Sequence, residues 1–163
     1  MIEVRAMQKK DIDAVYEIEC RSFRTPWSKM SLASELRNQV AHYRVLLIDD
    51  KLVGFCGMWV LFDEAHITNI AIHPDFRGRG LGRYLLYKTM EAAISFGADS
   101  MTLEVRETNM IAQRMYESFD FTRQGFRPRY YEDTNEGAYL LWNREIAKTV
   151  ENKTCQMASY GLK

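Results

Sequence analysis

The run Arg77-Gly78-Arg79-Gly80-Leu81-Gly82 constrains this chain more than any other segment. Before it lies a strand-like stretch, residues 67–72, closed by His73-Pro74-Asp75. After it, a helix-like stretch runs over 81–96. Strand, glycine-rich turn and helix N-terminus in succession make an anion site. Glycine lets backbone N–H groups crowd around a ligand, and the first helical turn leaves its donors unpaired with partial positive charge. Arg77, Arg79 and Arg83 add full charges, so a diphosphate is the natural guest.

The spacing excludes two common diphosphate binders. A dinucleotide fingerprint needs G-x-G-x-x-G, but the third glycine comes one residue early and Arg83 fills its slot. No G-x-x-x-x-G-K-[ST] occurs, so a P-loop is unsupported. Taken alone, the loop is equally compatible with an ordinary turn bearing solvated arginines.

The rest of the chain reads as alternating strands and helices of a single α/β (α+β) domain. Residues 1–7, 43–48, 52–62 and 101–106 have strand patterning. In the last of these Met101, Leu103 and Val105 face one way, and Thr102, Glu104 and Arg106 the other. The 52–62 run is apolar on both faces, as a central covered strand should be. Helical spacing marks 11–23, 29–37 after a Ser28 N-cap, 81–96 ending at Gly97, and 109–119. Two closing strands are expected near 121–127 and 138–143, with a loop over 130–137. The weakly patterned segment 147–163 is expected as a mobile tail behind a 1–146 domain.

Composition narrows the function classes. The apolar fraction of 47% argues against a disordered chain. Twenty-two basic and twenty-two acidic residues cancel, which argues against direct nucleic-acid binding through bulk charge. Cys20, Cys56 and Cys155 are odd in number and widely spaced, as in a reducing compartment. His42, His66 and His73 lack metal-ligand spacing, so no metal is expected. The charged N-terminus does not read as a signal peptide, and the longest apolar stretch, 52–62, is about half a membrane span. A cytoplasmic protein with no membrane partner is the expectation.

The segment 70–82, from Ile70, Ala71 and Ile72 through Gly82, resembles the acetyl-CoA motif of the GNAT N-acetyltransferases, R/Q-x-x-G-x-G/A, with Arg77, Gly80 and Gly82 at its fixed positions. Four further motifs resemble the RimI-type branch, the ribosomal-protein-alanine N-acetyltransferases. They are Leu103-Glu104-Val105-Arg106-Glu107-Thr108-Asn109 with 115–121; Ile18-Glu19 with Ser22-Phe23; Pro26-Trp27-Ser28; and Arg129-Tyr130-Tyr131. The likeness runs in order over about residues 2–144. Asp120 departs from it, standing where a glycine is usual, and reads as a helix-ending residue that tolerates the left-handed backbone.

This resemblance implies a central mixed, mostly antiparallel twisted sheet of six to seven strands, flanked by about four helices. It implies a strand ending at Ile72 that splays from its neighbour and binds pantetheine through the backbone of Ile70, Ala71 and Ile72. Gly78, Arg79, Gly80, Leu81, Gly82 and Arg83 would take the pyrophosphate, and Asn109 would contact the cofactor arm. The reaction implied is direct transfer from acetyl-CoA to an amine. By matching position Glu104 is its general base and Tyr116 its general acid, each role being worth about 10²–10⁴ in rate. Trp27, Arg129, Tyr130 and Tyr131 are the candidate substrate contacts. Without the resemblance, Glu104 reads as a solvated or salt-bridged residue, paired with Arg106 or Arg114, and Tyr116 as core.

Chemistry favours a protein N-terminus as the acceptor. An α-amino group has a pKa of about 7.7–8.0 and a lysine about 10.4, so deprotonation at pH 7 costs about 1.0–1.4 against about 4.6 kcal/mol. The expected substrate is the N-terminal amine of a protein, by resemblance the N-terminal alanine of a small-subunit ribosomal protein. Lysine, a polyamine or an aminoglycoside are the alternative acceptors, and a non-catalytic acyl-CoA-binding module is the alternative class. Polycations call for an acidic cleft, and the short acidic clusters Asp63-Glu64 and Glu132-Asp133 are equally readable as plain surface.

Overall fold

The alternating runs join into one mixed sheet. The computed structural model describes residues 1–162. The strands are β1 (Ile2–Ala6), β2 (Ala41–Ile48), β3 (Lys51–Leu61), β4 (Glu64–Ile72), β5 (Ser100–Arg106), β6 (Thr122–Tyr131) and β7 (Glu136–Asn143). Their spatial order is β1-β2-β3-β4-β5-β7-β6. All neighbouring pairs are antiparallel except β4–β5, which is parallel.

Helices cover both faces. On one side α1 (Ile12–Ser22) and α2 (Lys29–Glu35) bury Val15, Ile18 and Leu32 against Val45 and Phe55 of the sheet. On the other, α3 (Leu81–Ser95) and α4 (Met110–Glu117) bury Leu85, Leu86, Met90 and Tyr116 against Met58, Met101, Leu103 and Leu141. β3 feeds both cores, Val53 one and Phe55 the other, which explains its continuous apolar run. The Ser28 hydroxyl caps α2 by accepting the Ser31 N–H at 3.0 Å. Gly97 ends α3 with φ 95°, and Asp120 stands after α4 with φ 65°, in the left-handed conformation expected of it.

The expectation of a mobile tail from 147 onward is not met. Residues Ile146–Ala158 form a fifth helix, α5, docked along α3, and a 3-10 turn (Ser159–Leu162) follows it. Its buried stripe is Ile146, Thr149 and Met157. Thr149 occupies an inward position because its hydroxyl donates to Asp120 Oδ2 at 2.7 Å and accepts from Asn143 Nδ2 at 2.9 Å. A polar residue in the stripe dilutes the apolar period, and the helix count rises from four to five.

The loop expected over 130–137 is also shorter. β6 continues to Tyr131 and β7 begins at Glu136, leaving 132–135 as the turn. Pro128 cannot donate to a ladder, and Arg129 is left-handed at φ 56°. The register breaks between Arg127 and Tyr131 instead of ending there. β6 is an edge strand, where such a break is tolerated. Among the described residues, no helix is long and apolar enough to cross a membrane.

Candidate active site

The parallel pair β4–β5 is joined at only three positions, Glu64↔Ser100, Ala65↔Met101 and His66↔Thr102. Beyond His66 the strands part, while β4 stays paired with β3 on its other side through Cys56↔Ile70, Phe55↔Ala71 and Gly54↔Ile72. The backbone of Ile70, Ala71 and Ile72 therefore borders an opening inside the sheet. That is the splay the family resemblance implied.

At the end of β4 a 3-10 turn (Pro74–Phe76) leads into the glycine loop. His73 organises it, its Nδ1 accepting the Asp75 N–H at 3.1 Å. Gly78 and Gly80 have φ of 78° and 77°, a conformation costly for any residue with a Cβ. Gly80 is the N-cap of α3 and supplies no side-chain cap, so the first-turn N–H groups of Leu81, Gly82 and Arg83 depend on a ligand or water. The hydroxyl of Tyr160, stacked on Tyr84 at 5.2 Å, lies against the Cα of Gly80, where a Cβ would collide with it.

The arginines divide their work. Arg77 folds back, its Nε donating to Ile72 O at 2.9 Å and its Nη2 to Ser22 Oγ at 3.1 Å, which ties the loop to the end of α1. Arg83 donates to Ser118 Oγ at 2.7 Å, and the Arg79 guanidinium stands 5.1 Å from the Phe76 ring centre. Asn109 caps α4, its Oδ1 accepting the Ala112 N–H at 3.1 Å.

Glu104 lies on β5 beside the opening. Its carboxylate pairs with neither Arg106 nor Arg114; His66 Nε2 donates to Glu104 Oε2 at 2.7 Å. Burial pushes the Glu104 carboxyl up, but the His66 hydrogen bond and charge, with Arg127 nearby, outweigh it. The net result lies below the usual carboxylate value. Arg106 is occupied elsewhere, by Asp133 at 2.8 Å and Glu136 at 3.2 Å.

Tyr116 is 4% exposed and packs edge-on against Phe121 at 5.6 Å. Burial, with nearby Cys56 and Tyr131, drives its phenol well above the ordinary tyrosine value, so it keeps its proton. Tyr131 interacts electrostatically with both Glu104 and Tyr116, and its hydroxyl is pushed up to about 12, mainly by burial. Tyr130 meets Tyr131 at a right angle, 5.0 Å away, and also feels Glu104. These four candidates come together. Arg129 stands in the bulged backbone beside Tyr130, outside the regular register.

Trp27 lines an open groove of about 430 Å³ with Pro26, Ser28, Ser31 and Glu35. From this groove a string of contacts leads to the opening: Trp59 Nε1 donates to Glu35 Oε2 at 2.6 Å, Trp59 meets His66 edge-on at 6.4 Å, and His66 meets Glu104. Sequence reasoning missed His66 in this role. It also missed Glu19, a 1% exposed carboxylate that accepts from the Trp27 N–H at 3.1 Å and from Asn69 Nδ2. Burial pushes its pKa up against those two bonds. Its place in the Ile18-Glu19 motif was the only available signal.

The profile of the Acetyltransferase (GNAT) family matches residues 12–121. A Bacillus subtilis (strain 168) protein is 45% identical over 140 residues, 85% of this chain and 93% of the relative, and bears the provisional name of a ribosomal protein bS18-alanine N-acetyltransferase. The Escherichia coli (strain K12) ribosomal protein bS18-alanine N-acetyltransferase is 33% identical over 135 residues, 83% of this chain and 90% of the relative. The crystal structure of the Escherichia coli ribosomal-protein-S18-alanine N-acetyltransferase superposes with a TM-score of 0.81 at 33% identity, covering 87% of this chain and 92% of the other. The split sheet, the uncapped helix behind a left-handed glycine and these relatives agree: the chain belongs to the GNAT family and is an acetyl-CoA-dependent N-acetyltransferase.

Proposed function

We propose that the protein acetylates the N-terminal amine of a protein, the alanine-ended ribosomal protein bS18, in the cytoplasm and without a metal. The observation that carries the mechanism is the His66–Glu104 pair at the edge of the β4–β5 opening. Glu104 stays ionised and can take the proton of the attacking ammonium, directly or through water. The neutral amine nitrogen then attacks the thioester carbonyl. The adduct nitrogen sheds its second proton to water, from which Tyr116 is later reprotonated, and the carbon–sulfur bond of the tetrahedral adduct breaks. Tyr116, protonated by burial, then gives its proton to the departing thiolate. No acyl-enzyme is required: Cys56, near Tyr116, is buried and its thiol is pushed up to about 12, so it is not a nucleophilic thiolate.

In this reading Ile70, Ala71 and Ile72 offer backbone groups to pantetheine, and residues 78–83 hold the pyrophosphate. Asn109 turns its amide NH₂ to the cofactor arm. Trp27 and Arg129, Tyr130 and Tyr131 flank the incoming peptide, whose path follows the contacts from Trp27 to Glu104. A polycation acceptor fits less well. Asp133 is committed to Arg106, and Asp63 lies in the β3–β4 turn, at the end of β4 remote from the glycine loop.

The test is CoA release with acetyl-CoA and an alanine-ended peptide from the bS18 N-terminus, beside an internal-lysine peptide and spermidine. Turnover confined to the first supports the reading; turnover only on the others sinks it. Glu104→Gln and Tyr116→Phe are each expected to lower kcat by about 10²–10⁴ with acetyl-CoA affinity nearly unchanged. Wild-type kcat in either variant removes that residue from the chemistry.

A further inference from the structure

Arg106 lies two residues beyond Glu104 on the same face of β5, and its guanidinium is the hub of the β6–β7 turn. Nη2 donates to Asp133 Oδ2 at 2.8 Å. Nη1 donates to Asp133 Oδ1 at 3.0 Å, Thr134 Oγ1 at 2.9 Å and Glu136 Oε2 at 3.2 Å. The Cζ of the same group stands over the Tyr131 ring, 4.0 Å from its centre. Thr134 Oγ1 donates to Glu136 Oε2 at 2.6 Å, and the Thr108 hydroxyl donates to Glu136 Oε1.

This hub sits where the ladder cannot hold the chain. Between Arg127↔Ala138 and Tyr131↔Glu136 the register is broken, Pro128 lacks a donor, and Arg129 is left-handed. Only the single pair Tyr131↔Glu136 follows the break. Backbone pairing reaches Tyr131, through Glu136 and the Asn135 N–H donated to Tyr131 O at 2.8 Å, but not Tyr130, and the two rings rest on each other at a right angle.

We propose that Arg106 is a positioning residue for acetyl transfer: by clamping Asp133 and Glu136 and standing over the Tyr131 ring, it fixes the Tyr130–Tyr131 pair beside Glu104. The inference rests on the reading of these tyrosines as substrate contacts. The work requires arginine's planar fork. A lysine ammonium is a point charge that can pair with one carboxylate but cannot grip the turn in two directions and stack on a ring at once.

A double-mutant cycle tests the coupling. With the alanine-ended peptide, Arg106→Ala is expected to lose about tenfold or more in kcat/KM, mostly through KM, with acetyl-CoA affinity within about twofold of wild type. Arg106→Lys recovers little of this, and Arg106→Ala in a Tyr131→Ala background costs nothing further. Additive losses, a wild-type Arg106→Lys, or an equal loss of acetyl-CoA affinity overturn the assignment. A second arm needs no substrate: tryptic cleavage of the Arg129–Tyr130 bond, followed by mass spectrometry on the folded protein, is expected to quicken in Arg106→Ala and Arg106→Lys. Unchanged cleavage in both overturns the clamp. Should wild type fail to acetylate the peptide, the substrate reading falls, and the cleavage arm still decides whether Arg106 holds the turn. Should Arg106→Ala fail to fold, Arg106→Lys carries both comparisons.

Discussion

Two effects oppose each other at the Glu104 carboxylate, and the histidine decides between them. Burial alone would raise its pKa, while the bond from His66 and the neighbouring Arg127 pull it below the usual value. Removing the histidine leaves the burial and takes away the larger compensation, so the Glu104 pKa must rise. In the pH profile of kcat the acid-side break reports Glu104, which must be ionised to take the ammonium proton. His66→Ala is expected to move that break to higher pH. A coincident profile would mean that Glu104 is not the base. Glu104 and Tyr116 became candidates because a local motif carries them, but the sequence did not reveal the partner of Glu104. The expected partner two residues away, Arg106, is captured by Asp133 and Glu136, and His66 arrives from the neighbouring strand through a parallel pairing. Parallel register has no hairpin turn to announce it in the sequence.

At the scale of elements, the strands and the first four helices followed from the spacing of their apolar residues. α5 escaped because its stripe contains Thr149, whose burial makes sense only once Asn143 and Asp120 are beside it. The same three residues connect the helix to the end of α4 and the end of β7, so α5 belongs to the folded unit. Met157, 2% exposed, anchors its far end against the core beneath α3. Met157→Ala is expected to cost about 2–5 kcal/mol in a denaturant or thermal unfolding experiment, the usual range for a buried methionine. A loose tail would give no change. β6 makes a related point about edges: Pro128 and Arg129 interrupt the ladder without ending the strand, and a proline in a sequence does not distinguish those outcomes.

Across the whole molecule, the apolar core under α3 and α4 holds β1–β4 and β5–β7 in one body. The overall architecture was readable because several motifs, in order over about residues 2–144, resemble one family. The narrowness of the join between the two halves was not readable, since three residue pairs at β4–β5 are a property of divergence in space. That join has a dynamic consequence. Amide groups flanking an unpaired stretch of strand are where native-state hydrogen exchange opens most readily, so β4 beyond His66 and the facing part of β5 should exchange ahead of β2 and β3. A ligand that lies in the gap and hydrogen-bonds the β4 backbone takes the place of a missing strand. Acetyl-CoA at about 100 times its dissociation constant should stabilise the fold by about 2.7 kcal/mol. Deuterium uptake should slow most along Asn69 to Ile72, with little change at β1. Uniform protection would show instead that the cofactor stabilises the protein without bridging its two halves.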